Sequence, residues 1–310
     1  RDGIGKPKNR PKMVNTHWGG VTEDNSFGTH EFLELCKLLG TEPYISANVG
    51  SGTPEEMSKW VEYLNFKGES PMSKLRKENG HEEPFNVSFW GVGNESWGCG
   101  GNMTADYYSN EYRRYATFAK DYPSIKLKKI AGGANGADYS WTETAMKVIG
   151  QRMWGLSLHY YTLPTGNWGK KGSATGFSEQ EYFNTMAQAL KMDELVTKHS
   201  AIMDKYDPKK NVALVVDEWG IWTDVEPGTN PGFLFQQNSL RDALIAGSTL
   251  NIFHKHAERV KMANLAQTVN VLQSLILTEK VFQLLQYLLR INRCESVLSY
   301  CEVLPEKFGK

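Results

Sequence analysis

The sequence predicts an α/β protein, a (β/α)8 TIM barrel of which about six βα units are seen, so that either two escape this reading or the chain holds only part of a barrel. Three observations carry this expectation. Apolar, strand-like runs alternate with amphipathic, helix-like ones along most of the 310 residues. The run 212–218 (VALVVDE) is apolar nearly throughout, as a parallel strand buried on both faces should be. A doubly wound open sheet is the structural rival, but its dinucleotide fingerprint is missing. Gly91-Val92-Gly93 runs into Asn94-Glu95-Ser96, and no third glycine opens a helix.

The elements follow in order. Phe32, Leu35, Cys36 and Leu39 recur at helical spacing, in a helix begun near Thr29 and stopped by Gly40. Residues 42–48 (EPYISAN) read as a strand. Thr53-Pro54-Glu55-Glu56 then forms a capping box with proline at the first helical position, ahead of Met57, Trp60, Val61 and Leu64. A strand is expected over 86–93, and a helix capped by Thr104 carries Tyr108, Tyr112, Tyr115 and Tyr122 on one side. Next come a strand at 128–133, a helix near 142–149 and a strand at 155–161. Ser178 and Glu181 box the start of a long helix with Phe183, Met186, Ala187 and Leu190. The strand at 212–218, a helix from about 233 to 250 and a last strand near 260–263 complete the series. After Lys280 the chain turns Leu-rich, with Phe282, Leu285 and Leu289 spaced for one helix face.

Composition narrows the function. Lys+Arg 35 against Asp+Glu 35 leaves no basic excess to attract phosphate, so a nucleic-acid partner is disfavoured. No apolar run approaches the ~18 residues of a membrane span, so no membrane partner is expected. Four cysteines form no CxxC pair and no dense framework, which favours a reducing, cytoplasmic setting. Nine Trp, 14 Tyr and 13 Phe suit a core, and equally suit platforms for flat, weakly polar ligands such as sugars.

Function in a parallel barrel gathers at the C-terminal strand ends. Two acidic residues fall there: Glu95 in Gly93-Asn94-Glu95-Ser96-Trp97, and Glu218 in Asp217-Glu218-Trp219-Gly220. Each alone could be a solvated strand-end residue. Together, flanked by Trp and Gly, they suit a carboxylate pair about 5 Å apart, which is the arrangement of retaining glycoside hydrolysis. His254-Lys255-His256 is weak as a metal motif because it lacks cysteine or carboxylate partners, and no metal or cofactor is expected. Asn86, Asn94 and Asn102 begin N-x-S/T sequons that read as chance matches.

Longer stretches resemble one family. NTHWGG (15–20), EDNSFGTHEF (23–32), SANVGSGTPEEM (46–57), GVGNESWGCGGNM (91–103), GLSLHYYT (155–162), DEWGIW (217–222), DVEPGTNPGFLFQQN (224–238) and ANLAQTVNVLQ (263–273) are similar to family 51 α-L-arabinofuranosidases. The resemblance covers roughly residues 1–279. It implies a retaining, exo-acting arabinofuranosidase acting on arabinan, arabinoxylan or their oligosaccharides without a cofactor. Glu95 would be the general acid/base and Glu218 the nucleophile. Asn94 would bind the sugar 2-hydroxyl, Tyr161 would stand beside the nucleophile, and His159, Trp18 and Gln267 would complete the substrate site. The family also implies a homo-oligomer, often a hexamer. It places two barrel strands ahead of Arg1 and a β-sandwich after the barrel, so residues 1–279 are expected to be a partial catalytic barrel, 280–310 a divergent tail, and the chain the product of a frame-shifted, misassembled or truncated gene. The rival readings are another retaining barrel glycosidase (a β-xylosidase or endoglucanase) and an inactive barrel fragment.

Overall fold

The computed structural model describes residues 2–278; the expected tail over 280–310, including the helix face of Phe282, Leu285 and Leu289, lies outside them. A short antiparallel hairpin, β1 (Met13–Val14) and β2 (Thr22–Glu23), precedes helix α1 (Thr29–Leu39). There follow β3 (Tyr44–Ala47), α2 (Pro54–Asn65), α3 (Pro71–Glu78), β4 (Phe89–Val92), α4 (Ala105–Phe118), β5 (Lys128–Asn135) and α5 (Tyr139–Val148). The chain continues through β6 (Gly155–Thr162), α6 (Glu179–Tyr206), β7 (Ala213–Ile221), α7 (Leu240–Lys255) and β8 (Val260–Leu265).

Strands β3 to β8 form one six-stranded sheet, all parallel and in sequence order. A doubly wound sheet would reverse its strand order at a switch point, and this one does not. Every crossover instead steps to the next strand, which is how a (β/α)8 barrel is built. The strand period of two divides the side chains between two faces. Trp90, Val92, Leu156, Leu158, Leu214 and Val216 pack with Tyr108, Trp141 and Val196 of the helices in the main core. Phe89, Ile130, Ala213, Val215 and Met262 form a separate, smaller cluster from the same strands.

Local chemistry sets the boundaries. Thr53 accepts from the Glu56 amide while the Glu56 carboxylate accepts from the Thr53 amide, closing the expected capping box at α2. Ser178 and Glu181 do the same at α6. Four expectations shift. Tyr122, expected on the helix after Thr104, lies beyond its end at Phe118, where it precedes Pro123 and bridges to Ile125. The helix expected from about residue 233 starts at Leu240, because Ser239 and Asp242 make the capping box there. Residues Pro231–Phe233 instead form a 3₁₀ turn that ends at Leu234, in the left-handed region. Helix α5 starts at Tyr139 rather than near 142, since Asp138 caps the amide of Trp141. The strand expected from residue 86 begins at Phe89: Asn86 has φ +58°, and the Val87 amide is already taken by the Asn65 side chain. The hairpin and α3 have no counterpart in the sequence expectations; α3 opens on a Ser70/Ser73 box with proline at its first position.

A buried ion pair ties the far end of the sheet. Asp207, fully buried just after α6, accepts from the Val212 amide at 2.7 Å and from Arg259 Nη1 at 3.0 Å. Arg259, 1% exposed, also donates to the carbonyls of Val212 and Asp207. One side chain so joins the end of α6, the approach to β7 and the turn before β8. Removing the carboxylate leaves the buried guanidinium with only the half-exposed Asp204 as an ionic partner and strands the Val212 amide, which costs about 3 kcal/mol. Asp207→Ala is therefore expected to lower unfolding free energy by that order in urea titrations; a loss under about 1 kcal/mol would show that the pair is not needed.

Candidate active site

Glu95 lies three residues beyond β4 on a loop held in an uncommon backbone shape. Its φ is +44°, a left-handed conformation costly for a side-chain-bearing residue. Two amides, those of Gly98 and Gly100, close on the Glu95 carbonyl, and Trp97 Nε1 anchors the loop to the Gly133 carbonyl on β5 at 3.1 Å. Glycine is required at position 100, because a Cβ there would stand 1.8 Å from the Asn94 carbonyl oxygen. The loop so aims the Glu95 carboxylate back over the end of the sheet.

That carboxylate meets groups from β6 and β7. His159 Nδ1 lies 3.0 Å from Glu95 Oε1 and 3.3 Å from Glu218 Oε2. On the other side of the ring, Nε2 sits 3.1 Å from Asp217 Oδ1, though out of line for a good hydrogen bond. Tyr161 donates to Glu218 Oε1 at 2.6 Å, and Tyr44 on β3 donates to Asp217 Oδ2 at 2.8 Å. The Cys99 thiol reaches Glu95 Oε2 at 3.4 Å. One ligand atom each from Glu95, His159 and Glu218 all fall within 4.8 Å of one another.

The register explains how neighbours in sequence share one ring. In a regular strand Asp217 and Glu218 would point to opposite faces. Between the pairs Ser157↔Val215 and His159↔Glu218, β7 advances by one residue more than β6. This bulge bends β7 and re-aims its side chains, so that both carboxylates approach His159.

Burial opposes a charge on His159, which is 3% exposed, but Asp217, Glu95 and Glu218 outweigh it and push the ring up to about 10. The carboxylates thus draw it toward the imidazolium at neutral pH, in which both ring nitrogens donate. Burial raises Glu218 above the usual carboxylate range; the Glu95 charge adds to this, while His159 and the Tyr161 hydroxyl oppose it. Burial and the nearby Glu218 raise Tyr161 well above an ordinary phenol, and burial with Asp217 does the same to Tyr44, so both remain donors. Burial followed by the Glu95 contact also raises Cys99, which keeps it a thiol.

The other expected residues are placed as follows. Asn94 is exposed beside Glu95. Gln267 is half-buried just past β8. Trp18 is 40% exposed on the turn of the β1–β2 hairpin, where its amide donates to Asn15 Oδ1. Among the described residues no hydrogen bond or ring contact joins Trp18 or Gln267 to the glutamates. His159 stands beneath the carboxylates with both ring nitrogens facing them. The weak histidine motif belongs elsewhere: Lys255 and His256 pair with Asp193 of α6. Asp217, Tyr44 and Cys99 were given no role from sequence; alternation along β7 hides Asp217, and nothing in the sequence signals the partners of the other two.

The family model described as Alpha-L-arabinofuranosidase 1 domain matches residues 1–180, and that described as Alpha-L-arabinofuranosidase C-terminal domain matches 217–286. The chain belongs to the family 51 α-L-arabinofuranosidases. It is 58% identical over 278 residues to an intracellular exo-alpha-L-arabinofuranosidase of Bacteroides ovatus, covering 90% of this chain and 54% of that one. The crystal structure of the GH51 arabinofuranosidase from Xanthomonas axonopodis pv. citri superposes with a TM-score of 0.88 at 56% identity, over 90% of this chain and 56% of that one. An arabinose complex of the Thermotoga maritima α-L-arabinofuranosidase gives 0.76 at 34% identity, over 90% and 54%. The chain spans about half the length of these arabinofuranosidases.

The charge on His159 has a sign-definite consequence. A ring raised from 6.5 to about 10 stabilises the fold fully below pH 6.5, and that contribution is lost as pH rises toward 10. The stability difference between wild type and His159→Gln is thus expected to shrink steadily from pH 6.5 to 10 in denaturant titrations. A difference that stays constant or grows over that range would show a neutral ring.

Proposed function

We propose that this chain carries the catalytic centre of a retaining, exo-acting α-L-arabinofuranosidase. It would release terminal arabinofuranose from arabinan, arabinoxylan or their oligosaccharides. The observation that supports this best is the convergence of Glu95 and Glu218, from the ends of β4 and β7, on one imidazole with oxygens inside 4.8 Å. That spacing is close to the ~5–5.5 Å of retaining enzymes and short of the ~6.5–9.5 Å that leaves room for an inverting water.

In the first step Glu218 attacks the anomeric carbon, forming a C–O ester bond, while the glycosidic C–O bond breaks and Glu95 gives its proton to the leaving oxygen. In the second, Glu95 takes a proton from water, whose oxygen displaces Glu218. The balance is one water consumed per bond cut, with no cofactor in either step. His159 couples the two steps. Its Nδ1–H faces an oxygen of each glutamate, and when Glu218 loses its charge to the ester, that donor turns to Glu95, by then an anionic base. Tyr161 holds the other Glu218 oxygen and orients the attack. Asn94 would bind the sugar 2-hydroxyl, with Trp18 and Gln267 on the rim of the same subsite. This reading includes the division into a barrel over 1–279 and a separate tail over 280–310. An intracellular setting, as the Bacteroides ovatus relative is named, and a homo-oligomeric assembly also belong to it.

Aryl α-L-arabinofuranosides test the roles. Glu218→Ala is expected to lose at least 1,000-fold in kcat. Glu95→Ala is expected to lose ~10²–10⁴-fold on a poor leaving group and far less on a good one, which needs no acid. Equal loss on both leaving groups would remove Glu95 as the acid. Hydrolysis of aryl xyloside in preference would favour a β-xylosidase, and hydrolysis unchanged by Glu218→Ala would end the enzymatic reading of this site.

A further inference from the structure

One rim of the barrel mouth carries a line of aromatic rings, of which the chemistry above uses only the first, Tyr161. Tyr161, which holds Glu218, meets Trp222 edge to face at 4.9 Å. Trp222 meets Trp168 in the same way at 5.2 Å. Trp168 is 53% exposed, so the line begins at the nucleophile and ends at an open indole.

The loop that presents Trp168 is tied down. Asp224, two residues beyond Trp222, accepts from the amides of Lys171 and Gly172, both at 3.1 Å, and its own amide donates to the Gly172 carbonyl. The loop also closes on itself, with the Thr165 amide donating to the Lys171 carbonyl and the Gly169 amide to Asn167 Oδ1. Lys171 Nζ lies over both indoles, 5.9 Å from the Trp168 ring centre and 5.5 Å from that of Trp222. Trp168 also borders a cleft of about 480 Å³, to which Asn135, Gln188 and Lys191 bring polar groups. That volume lies in the ordinary range for small-ligand sites, ~300–1,000 Å³.

We propose that Trp168 and Lys171 form an outer subsite for a further sugar ring of the chain that carries the scissile arabinose. A sugar ring has an apolar C–H face, which an exposed indole can cover, and a rim of hydroxyls, which an ammonium group and side-chain amides can bind. A rigidly held aromatic offers that area without an ordering cost on binding. The line from Glu218 through Tyr161 and Trp222 gives the direction in which the chain leaves the catalytic pair. The identity of the chain rests on the arabinofuranosidase reading, and furanose and pyranose rings share the chemistry that Trp168 recognises.

The test is calorimetric titration of a Glu218→Gln background, in which turnover is blocked, with 1,5-linked arabinotetraose, xylotetraose and L-arabinose. Trp168→Ala is expected to weaken at least one tetraose fivefold or more beyond its effect on L-arabinose, and Lys171→Ala to act in the same sense but less. Trp168→Phe, which keeps a ring, should recover most of the loss and so sets aside misfolding. The tetraose affected tells whether the subsite takes arabinan or xylan. Equal weakening of tetraoses and arabinose, no weakening, or no binding of either tetraose would each overturn the subsite. Hydrolysis of an aryl arabinofuranoside by wild type is scored separately. Tetraose binding through Trp168 without hydrolysis would sink the catalytic reading alone, and hydrolysis with a tetraose affinity indifferent to Trp168 would sink the subsite alone.

Discussion

One buried imidazolium holds the site together. Glu95, Asp217 and Glu218 come from the ends of two strands, and carboxylates gathered in a low-dielectric setting repel one another. His159 supplies the charge that lets them approach one another. It is in turn held charged by them, so neither side of the arrangement is stable without the other. Two phenols complete it: Tyr161 donates to Glu218 and Tyr44 to Asp217.

The constraint reaches back into the fold. His159 can face all three carboxylates only because β7 bulges against β6 just before Glu218. Tyr44 can reach Asp217 only because β3 and β7 lie on a sheet that curls toward closure, since three strands separate them in sheet order. The left-handed turn at Glu95 does the corresponding work on β4. Strained backbone, irregular register and buried charge thus fall within one region, where side chains must converge rather than alternate.

Much of this was legible in the sequence. Apolar runs separated by capped amphipathic stretches mark all six parallel strands, because burial on both faces leaves a nearly continuous apolar signal. The long motifs around Glu95 and Glu218 singled out two carboxylates that the structure brings to one imidazole. What escaped depends on register or distant contact. Asp217 stands next to Glu218, yet strand alternation assigns it to the other face, and only the bulge brings it to His159. Tyr44 reads as one apolar residue of a short strand, and its hydroxyl finds Asp217 through closure alone. The start of α7 was misplaced because Phe233 and Leu234 look helical in pattern, although Pro231 and Gly232 turn the chain and Ser239 caps the true start. The family resemblance implies a substrate contact for His159; its geometry makes it a buried bridge between carboxylates.

The central claim is that Glu95 and Glu218 are close enough for one of them to attack the sugar directly. The stereochemistry of the first-formed product tests it most directly. Proton NMR of an aryl α-L-arabinofuranoside during early hydrolysis should show α-L-arabinofuranose appearing first, before mutarotation mixes the anomers. β-Arabinofuranose as the first product would mean that water attacks from the opposite face, and would contradict the account.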